Sequence, residues 1–295
     1  MVMPDYTSIE ELILSANQQQ KSLGQLVLED QASLLEISTD VLLNTIDQRL
    51  AVMEKAAENG MKKDIRSTSG LTGGDGWRMH TYEGNALSGT FCAKAVAIAL
   101  SVAEYNAAMG RIVASPTAGS CGILPGALLP MMTEHGSNRE EICLALLCAG
   151  GIGLVIAQQA TIAGAEGGCQ AECGAASAMA AAALVQLRGG TPEQCAHAVA
   201  IALKNQLGLV CDPVAGLVEV PCIKRNAAGV MCAITAADMA LAGIRSIIPA
   251  DEVVVAMGEV GAALPCSLRE TAQGGLAATP TGLRLAEQIF GKKHG

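Results

Sequence analysis

Eleven cysteines are spread through the 295 residues, and their surroundings divide them into two kinds. Cys169 lies in "EGGCQAECG", and Cys211 and Cys222 bracket "CDPVAGLVEVPC". These segments interrupt helical sequence with glycine or proline, and backbone freed from a helix lets thiolates from separate segments converge on a metal. Cys173, at i+4 from Cys169, shares a helix face with it and stands as a rival ligand. Cys92, Cys143, Cys148, Cys195 and Cys232 fall within apolar helical runs, where a small buried hydrophobe is the simpler account. No CxxC pair occurs, which excludes ferredoxin-type runs and most zinc ribbons.

Two glycine-rich runs carry a second kind of chemistry. "SPTAGSCGILPG" (115–126) offers hydroxyls at Ser115, Thr117 and Ser120 and amides at Gly119 and Gly122; "LTGGDG" (71–76) offers Thr72, Gly73 and Gly74. Buried helix ends leave unpaired N–H groups, and an anion at such an end satisfies them with help from the helix dipole. Neither run has Walker A or dinucleotide-binding spacing, so nucleotide is disfavoured; a plain helix break is the alternative for both. Candidate bases are sparse. His80 follows the TGGDG turn, His135 and His197 read as surface helix-end residues, and His294 belongs to the tail. Lys94 stands alone in an apolar helix, where a snorkelling side chain is the simpler account and an anion ligand or base the sharper one.

The elements that must position these groups are helices. Ala-rich apolar runs with abundant glycine favour helices that approach closely, so the expectation is an all-α, dense Ala/Gly-rich bundle whose glycine/proline-rich loops form the active site. Residues 7–59 read as amphipathic helix, with Thr7 and Glu10 at capping-box spacing, Leu42, Ile46, Leu50, Met53 and Ala57 in one stripe, and Gly60 as the stop. A helical pattern runs from Leu87 to Val113. Ser137 and Glu140 suggest a capping box ahead of the next apolar run; 174–187 is helix stopped by Gly189–Gly190; "TPEQ" (191–194) supplies N-cap Thr, N1 Pro and N3 Gln. Strand-like alternation is confined to Val218–Val220. Residues 1–66 form an N-terminal helical segment and 67–295 the catalytic part, continuous as one unit.

Composition narrows the function classes. A net charge of −9 without a basic stripe argues against nucleic acid. No basic region followed by an apolar run opens the chain, so the expectation is cytoplasmic, with thiols or metal ligands in place of disulfides. From Ile142 to Ala165 no charge occurs, a run long enough to span a bilayer. Gln158, Gln159 and Thr161 near its end, its glycines and the lack of flanking Trp or Tyr favour a buried bundle helix and no membrane.

"SGLTGGDG", "EYNAAMGRIVASPTAGSCGILPG", "GAEGGCQAECG" and "LGLVCDPVAGLVEVPCIKRN", in this order, resemble the α chain of bacterial iron–sulfur-dependent L-serine dehydratases over roughly residues 67 to 290. The resemblance implies an all-helical catalytic domain with a 4Fe–4S cluster, no pyridoxal phosphate, and deamination of L-serine to pyruvate and ammonia, a step of amino-acid degradation and gluconeogenesis. It carries the cluster ligands onto Cys169, Cys211 and Cys222, leaving one iron open to substrate. It also matches Asn106 and Arg111 to a family segment. Thr72, Gly73, Gly74, Asn106, Ser115, Thr117, Gly119 and Ser120 are then the candidate substrate contacts, with Thr117, Gly119 and Ser120 offering donors to the serine carboxylate. Asp212 and Glu166 read as supporting or capping residues, and Cys121 as packing.

Two departures matter: Cys173 stands where relatives commonly have no cysteine, and the tail "FGKKHG" has no thiol to plug the open iron. Only the α part is matched, which implies a separate β chain. That chain would supply the base in trans if neither His80 nor Lys94 does. A related cluster-dependent lyase such as a cysteine desulfidase is the nearest alternative, and a membrane transport subunit the alternative from another class.

Overall fold

A computed structural model describes residues 6–291, and His294 with the rest of the tail lies outside the described residues. Thirteen α-helices and no strand occur among them: α1 (Ile9–Gln18), α2 (Leu23–Leu34), α3 (Thr39–Gly60), α4 (Asp75–Tyr82), α5 (Gly89–Ala107), α6 (Ile123–Glu134), α7 (Arg139–Gln159), α8 (Gly164–Gly167), α9 (Ala175–Leu187), α10 (Pro192–Lys204), α11 (Cys222–Leu241), α12 (Ala250–Ala263) and α13 (Pro280–Phe290). The strand-like pattern at Val218–Val220 forms no strand. The β-type pairing found is one isolated backbone bridge between Cys211 and Arg269.

The all-α expectation holds, and α9 shows why. Every residue from Ala175 to Val185 is buried, because α6, α7, α10 and α11 enclose the helix on all sides. A helix apolar all round needs such a position, and alanine at most of its contacts lets neighbouring backbones close in. Around this centre α5 packs against α3, α4, α6 and α11, α2 lies on α7, and α1 leans on α10 and α12. The N-terminal helices therefore join the same core. α7 is long and apolar enough to cross a membrane, yet 61% of its most apolar window is buried, with α2, α3 and α9 against it.

Local signals position the elements to within a residue. Thr191, Pro192 and Gln194 cap α10 as their order suggests, with both capping-box bonds made. At α7 the box is Asn138 with Glu141, one residue later than Ser137 and Glu140, and α1 is capped by Ser8, with Thr7 turned back onto Glu11. In each case an adjacent residue of equal capping ability takes the role. The 7–59 segment divides into α1, α2 and α3. The helix read from Leu87 to Val113 ends at Ala107, where Met109 adopts a left-handed conformation and Gly110 N–H returns to Tyr105 O (2.8 Å). Gly60 closes α3, and its lack of a side chain serves packing as well: a Cβ there would meet Ser101 O at 1.9 Å.

Candidate active site

Four interruptions of the bundle are tied to one another. The first is residues 164–174. After the single turn of α8, the chain makes one π-helical turn (Gln170–Gly174) and then enters α9. Single π turns inside α-helices often mark functional sites. This one sets the Sγ atoms of Cys169 and Cys173 3.4 Å apart. Gln170 N–H donates to Leu209 O (2.9 Å), which ties the segment to the loop carrying Cys211.

The second, residues 205–221, is joined to the start of α11 by one side chain. Arg225, a turn into α11 beyond Cys222, donates to Val210 O (2.7 Å) and to Asp212 Oδ1 (2.8 Å), the residues on either side of Cys211. Its positive charge also acts on the Cys169 thiol and holds it down. Arg225 thus bears on all three cysteines in the interruptions. Asp212, buried with it, accepts Leu276 N–H (2.7 Å) and so secures the C-terminal segment. A cysteine–arginine–aspartate set of this kind was hidden in the sequence, although the position of Arg225 within "PCIKRN" is a usable signal.

The thiols are buried and feel one another. Burial pushes Cys211 up, as do the charges of Cys169, Glu172, Glu270 and Cys222. Cys222 is pushed up to about 12, by burial first and then by Cys169. The S–H···S contact lowers Cys169 and raises Cys173, and the Arg225 charge adds to the lowering at Cys169. Buried thiolates held together in this way need compensating positive charge, which a metal supplies. Among the described residues no three His, Cys, Asp or Glu side chains close on a point as the ligands of a single ion do. An all-thiol donor set drawn from separate loops, next to a guanidinium, suits an iron–sulfur cluster, whose several irons spread the ligands apart. The residues fit such a group.

The 115–122 loop is fastened to the same place. Asn226, fully buried one turn beyond Cys222, accepts from Gly122 N–H (2.8 Å) and donates to Gly119 O (2.7 Å). Asn106 donates to Ala118 O (3.2 Å), while Thr117 and Ser120 hydroxyls stand 3.1 Å apart. The Thr117 hydroxyl also acts on the neighbouring Glu172 carboxyl. Glu172 is the site residue the sequence concealed, although it lies between Cys169 and Cys173. A Cβ on Gly119 would meet its carboxylate at 3.3 Å, and one on Gly164 would meet Glu172 Oε2 at 2.7 Å and Cys211 Sγ at 3.2 Å. Burial pushes its carboxyl up, the Thr117 hydroxyl opposes this, and the Glu270 charge adds to it. Ser115 forms a cis peptide with Pro116 and its hydroxyl reaches only Val113 O (3.5 Å). Cys121 packs with Ala56, Ala57 and Val102, and burial pushes it up to about 12.

The TGGDG turn is held by internal carboxylates. Glu104, 1% exposed, accepts Asp75 N–H (2.8 Å) and Gly76 N–H (3.1 Å), so the anion at the start of α4 is part of the chain. Glu219, from the Cys211–Cys222 segment, accepts from Ser69 (2.6 Å) and Thr72 (3.3 Å). Gly73 takes a positive φ against Ile65 O, and Gly74 is the left-handed N-cap of α4. His80 bonds Glu83 (2.8 Å), and Lys94 bonds Thr133 (3.2 Å) and Glu134 (2.5 Å); both are exposed pairs. Glu166 accepts from Thr161 (2.6 Å).

Residues 14–277 match the family described as "Serine dehydratase alpha chain". The chain is 50% identical over 288 residues to the "Probable L-serine dehydratase, alpha chain" of Bacillus subtilis, covering 97% of this chain and 96% of that one. It is 47% identical over 285 residues to the "L-serine dehydratase, alpha chain" of Peptoniphilus asaccharolyticus, covering 95% and 97%. Against the "L-serine dehydratase" of Streptomyces coelicolor it is 46% identical over 181 residues, 61% of this chain and 40% of that longer one.

Proposed function

The chain belongs to the serine dehydratase alpha-chain family, a family of lyases, and on that premise we propose that it eliminates water from L-serine with a 4Fe–4S cluster, giving pyruvate and ammonia. The observation that carries this is the convergence of Cys169, Cys211 and Cys222 around Arg225, with Glu172 beside them. The reaction takes place in the cytoplasm and without pyridoxal phosphate. A separate β chain completes the enzyme, as the "alpha chain" names of the near full-length relatives suggest.

Held by those three cysteines, the cluster would supply a Lewis-acid iron with a position open to the substrate hydroxyl, easing its departure. The chain's own residues do the rest. Arg225 offsets the thiolate charge and keeps the three ligand segments in register. Glu172, whose carboxyl is raised by burial, takes the α-proton of serine at its Oε atoms. Thr117, grouped with Gly119 and Ser120, orients that carboxylate and presents the loop to the substrate. Asn106, Thr72, Gly73, Gly74 and Ser115 brace the two loops. Loss of the proton and of the hydroxyl leaves 2-aminoacrylate, which tautomerises to an imine and hydrolyses in water.

Cys173 remains a neighbour able to replace Cys169 as a ligand. The test is anaerobic reconstitution with and without a β chain, assaying pyruvate from L-serine alongside L-cysteine as a competing substrate. Pyruvate from L-serine, dependent on iron and sulfide, supports the proposal. Iron-independent turnover or a preference for L-cysteine contradicts it.

A further inference from the structure

Next to the Cys211 loop lies an open cleft of about 870 Å³, whose polar lining is Thr161, Glu166, Arg269, Glu270 and Thr271. Its remaining lining is small, with Ala160, Ala165, Gly258 and Ala262 leaving room for a compact ligand. The backbone holds the cleft against the cysteine loop. Cys211 N–H donates to Leu268 O (2.9 Å) and Glu270 N–H donates to Cys211 O (2.7 Å), so Arg269 sits directly across from Cys211.

Arg269 is the feature that asks for a ligand. Its Nε is buried without a hydrogen-bond partner, and among the described residues it makes no ion pair, although two carboxylates share the cleft. A buried guanidinium N–H left unpaired is costly unless something outside the chain completes it, and the planar fork of an arginine matches a carboxylate. The carboxylates have other orientations. Glu166 accepts the Thr161 hydroxyl, and Glu270 lies close enough to Cys211 and Glu172 for its charge to act on both. One cation lacking an anion, with a carboxylate beside it in the same cleft, is complementary to a small zwitterion.

We propose that this cleft is the amino-acid subsite of the enzyme, with Arg269 binding the α-carboxylate of the substrate and Glu270 its α-ammonium. The proposal rests on the serine dehydratase function and deepens it. The Thr117 and Ser120 hydroxyls face each other and the 115–122 run carries no cation, so Arg269 supplies the cationic partner for the carboxylate that this loop lacks. The ligand class is an unblocked α-amino acid with a short side chain.

The experiment compares wild type, Arg269→Gln and Arg269→Lys in the reconstituted complex. Iron content, steady-state kinetics with L-serine and inhibition by ethanolamine are measured, since ethanolamine keeps the amine and hydroxyl but lacks the carboxylate. Arg269→Gln should raise KM for L-serine at least tenfold with iron retained and kcat within about threefold, and the ethanolamine inhibition constant should be unchanged. Arg269→Lys should fall between. An unchanged KM, equal weakening of L-serine and ethanolamine, or loss of iron in both variants would overturn the proposal. Calorimetric binding of L-serine to wild type and Arg269→Gln gives a readout that needs no turnover. If wild type binds L-serine tighter than the variant but forms no pyruvate, the proposed reaction fails and the subsite stands.

Discussion

Cys211 and Cys195 are both buried thiols of one bundle, and they live in different chemistry. Cys195 sits within α10, its Sγ 3.5 Å from Ala182 O and beside the Cys148 thiol, in the apolar core with no charged group against it among the described residues. Cys211 sits where no helix runs, tied through its backbone to Leu268 and Glu270 and flanked by the residues that Arg225 holds. Burial is nearly the same, at 1% and 3% exposed, so burial does not separate a packing thiol from the proposed ligand. What separates them is whether the surrounding backbone belongs to a helix and whether a charge partner is at hand.

That contrast can be broken most sharply at Cys211. Cys211→Ala is expected to lose cluster iron and all pyruvate formation, measured by iron assay and turnover after anaerobic reconstitution. Next in size is Glu172→Gln, which should keep its iron but lower kcat by about 10²- to 10⁴-fold, the usual worth of a positioned base. A pH profile sharpens it further. Burial raises the Glu172 carboxyl, so in wild type the ascending limb of activity lies above the ordinary glutamate value of about 4.3, and the substitution removes that limb. The sign for stability is opposite: the folded state holds this proton more tightly, so the contribution of Glu172 to stability is lost as pH rises from about 4.3 through the raised value.

Arg225→Met is the third perturbation. It leaves Asp212, 3% exposed, without its cation and should destabilise the fold by about 3–5 kcal/mol, read by denaturant unfolding. Arg225→Lys, which keeps the charge but not the fork, should retain part of that stability and part of the iron. The smallest effect is expected at the other end of the comparison. Cys195→Ala should cost about 1 kcal/mol as a modest core truncation and leave iron and kcat at wild-type values. Loss of iron in that variant would erase the distinction between the two kinds of thiol.

That Cys169, Cys211 and Cys222 lie outside regular α-helix or at its start was legible in the sequence, because the glycine and proline around them mark helix interruptions. The capping of α10 by Thr191 and the stop at Gly60 were legible for the same reason, since both are local. What lay beyond reach were partnerships made across the chain. Nothing near Glu104 tells that it caps α4, nor near Asn226 that it fastens the 115–122 loop, because each bond joins residues far apart in sequence. Glu172 was masked differently. Its neighbours suggest an ordinary helix, and only the π turn at Gln170–Gly174 brings it and the thiols together. Arg269 was hidden by a backbone pairing with Cys211 that no alternation announces.

The most direct measurement of the central claim is iron and acid-labile sulfide per chain, with the visible absorption spectrum, on anaerobically reconstituted wild type and Cys211→Ala. The account predicts a brown wild-type protein with about four irons per chain and a colourless, inactive variant. A wild-type protein without iron that still forms pyruvate, or a Cys211→Ala variant with wild-type iron, would contradict it.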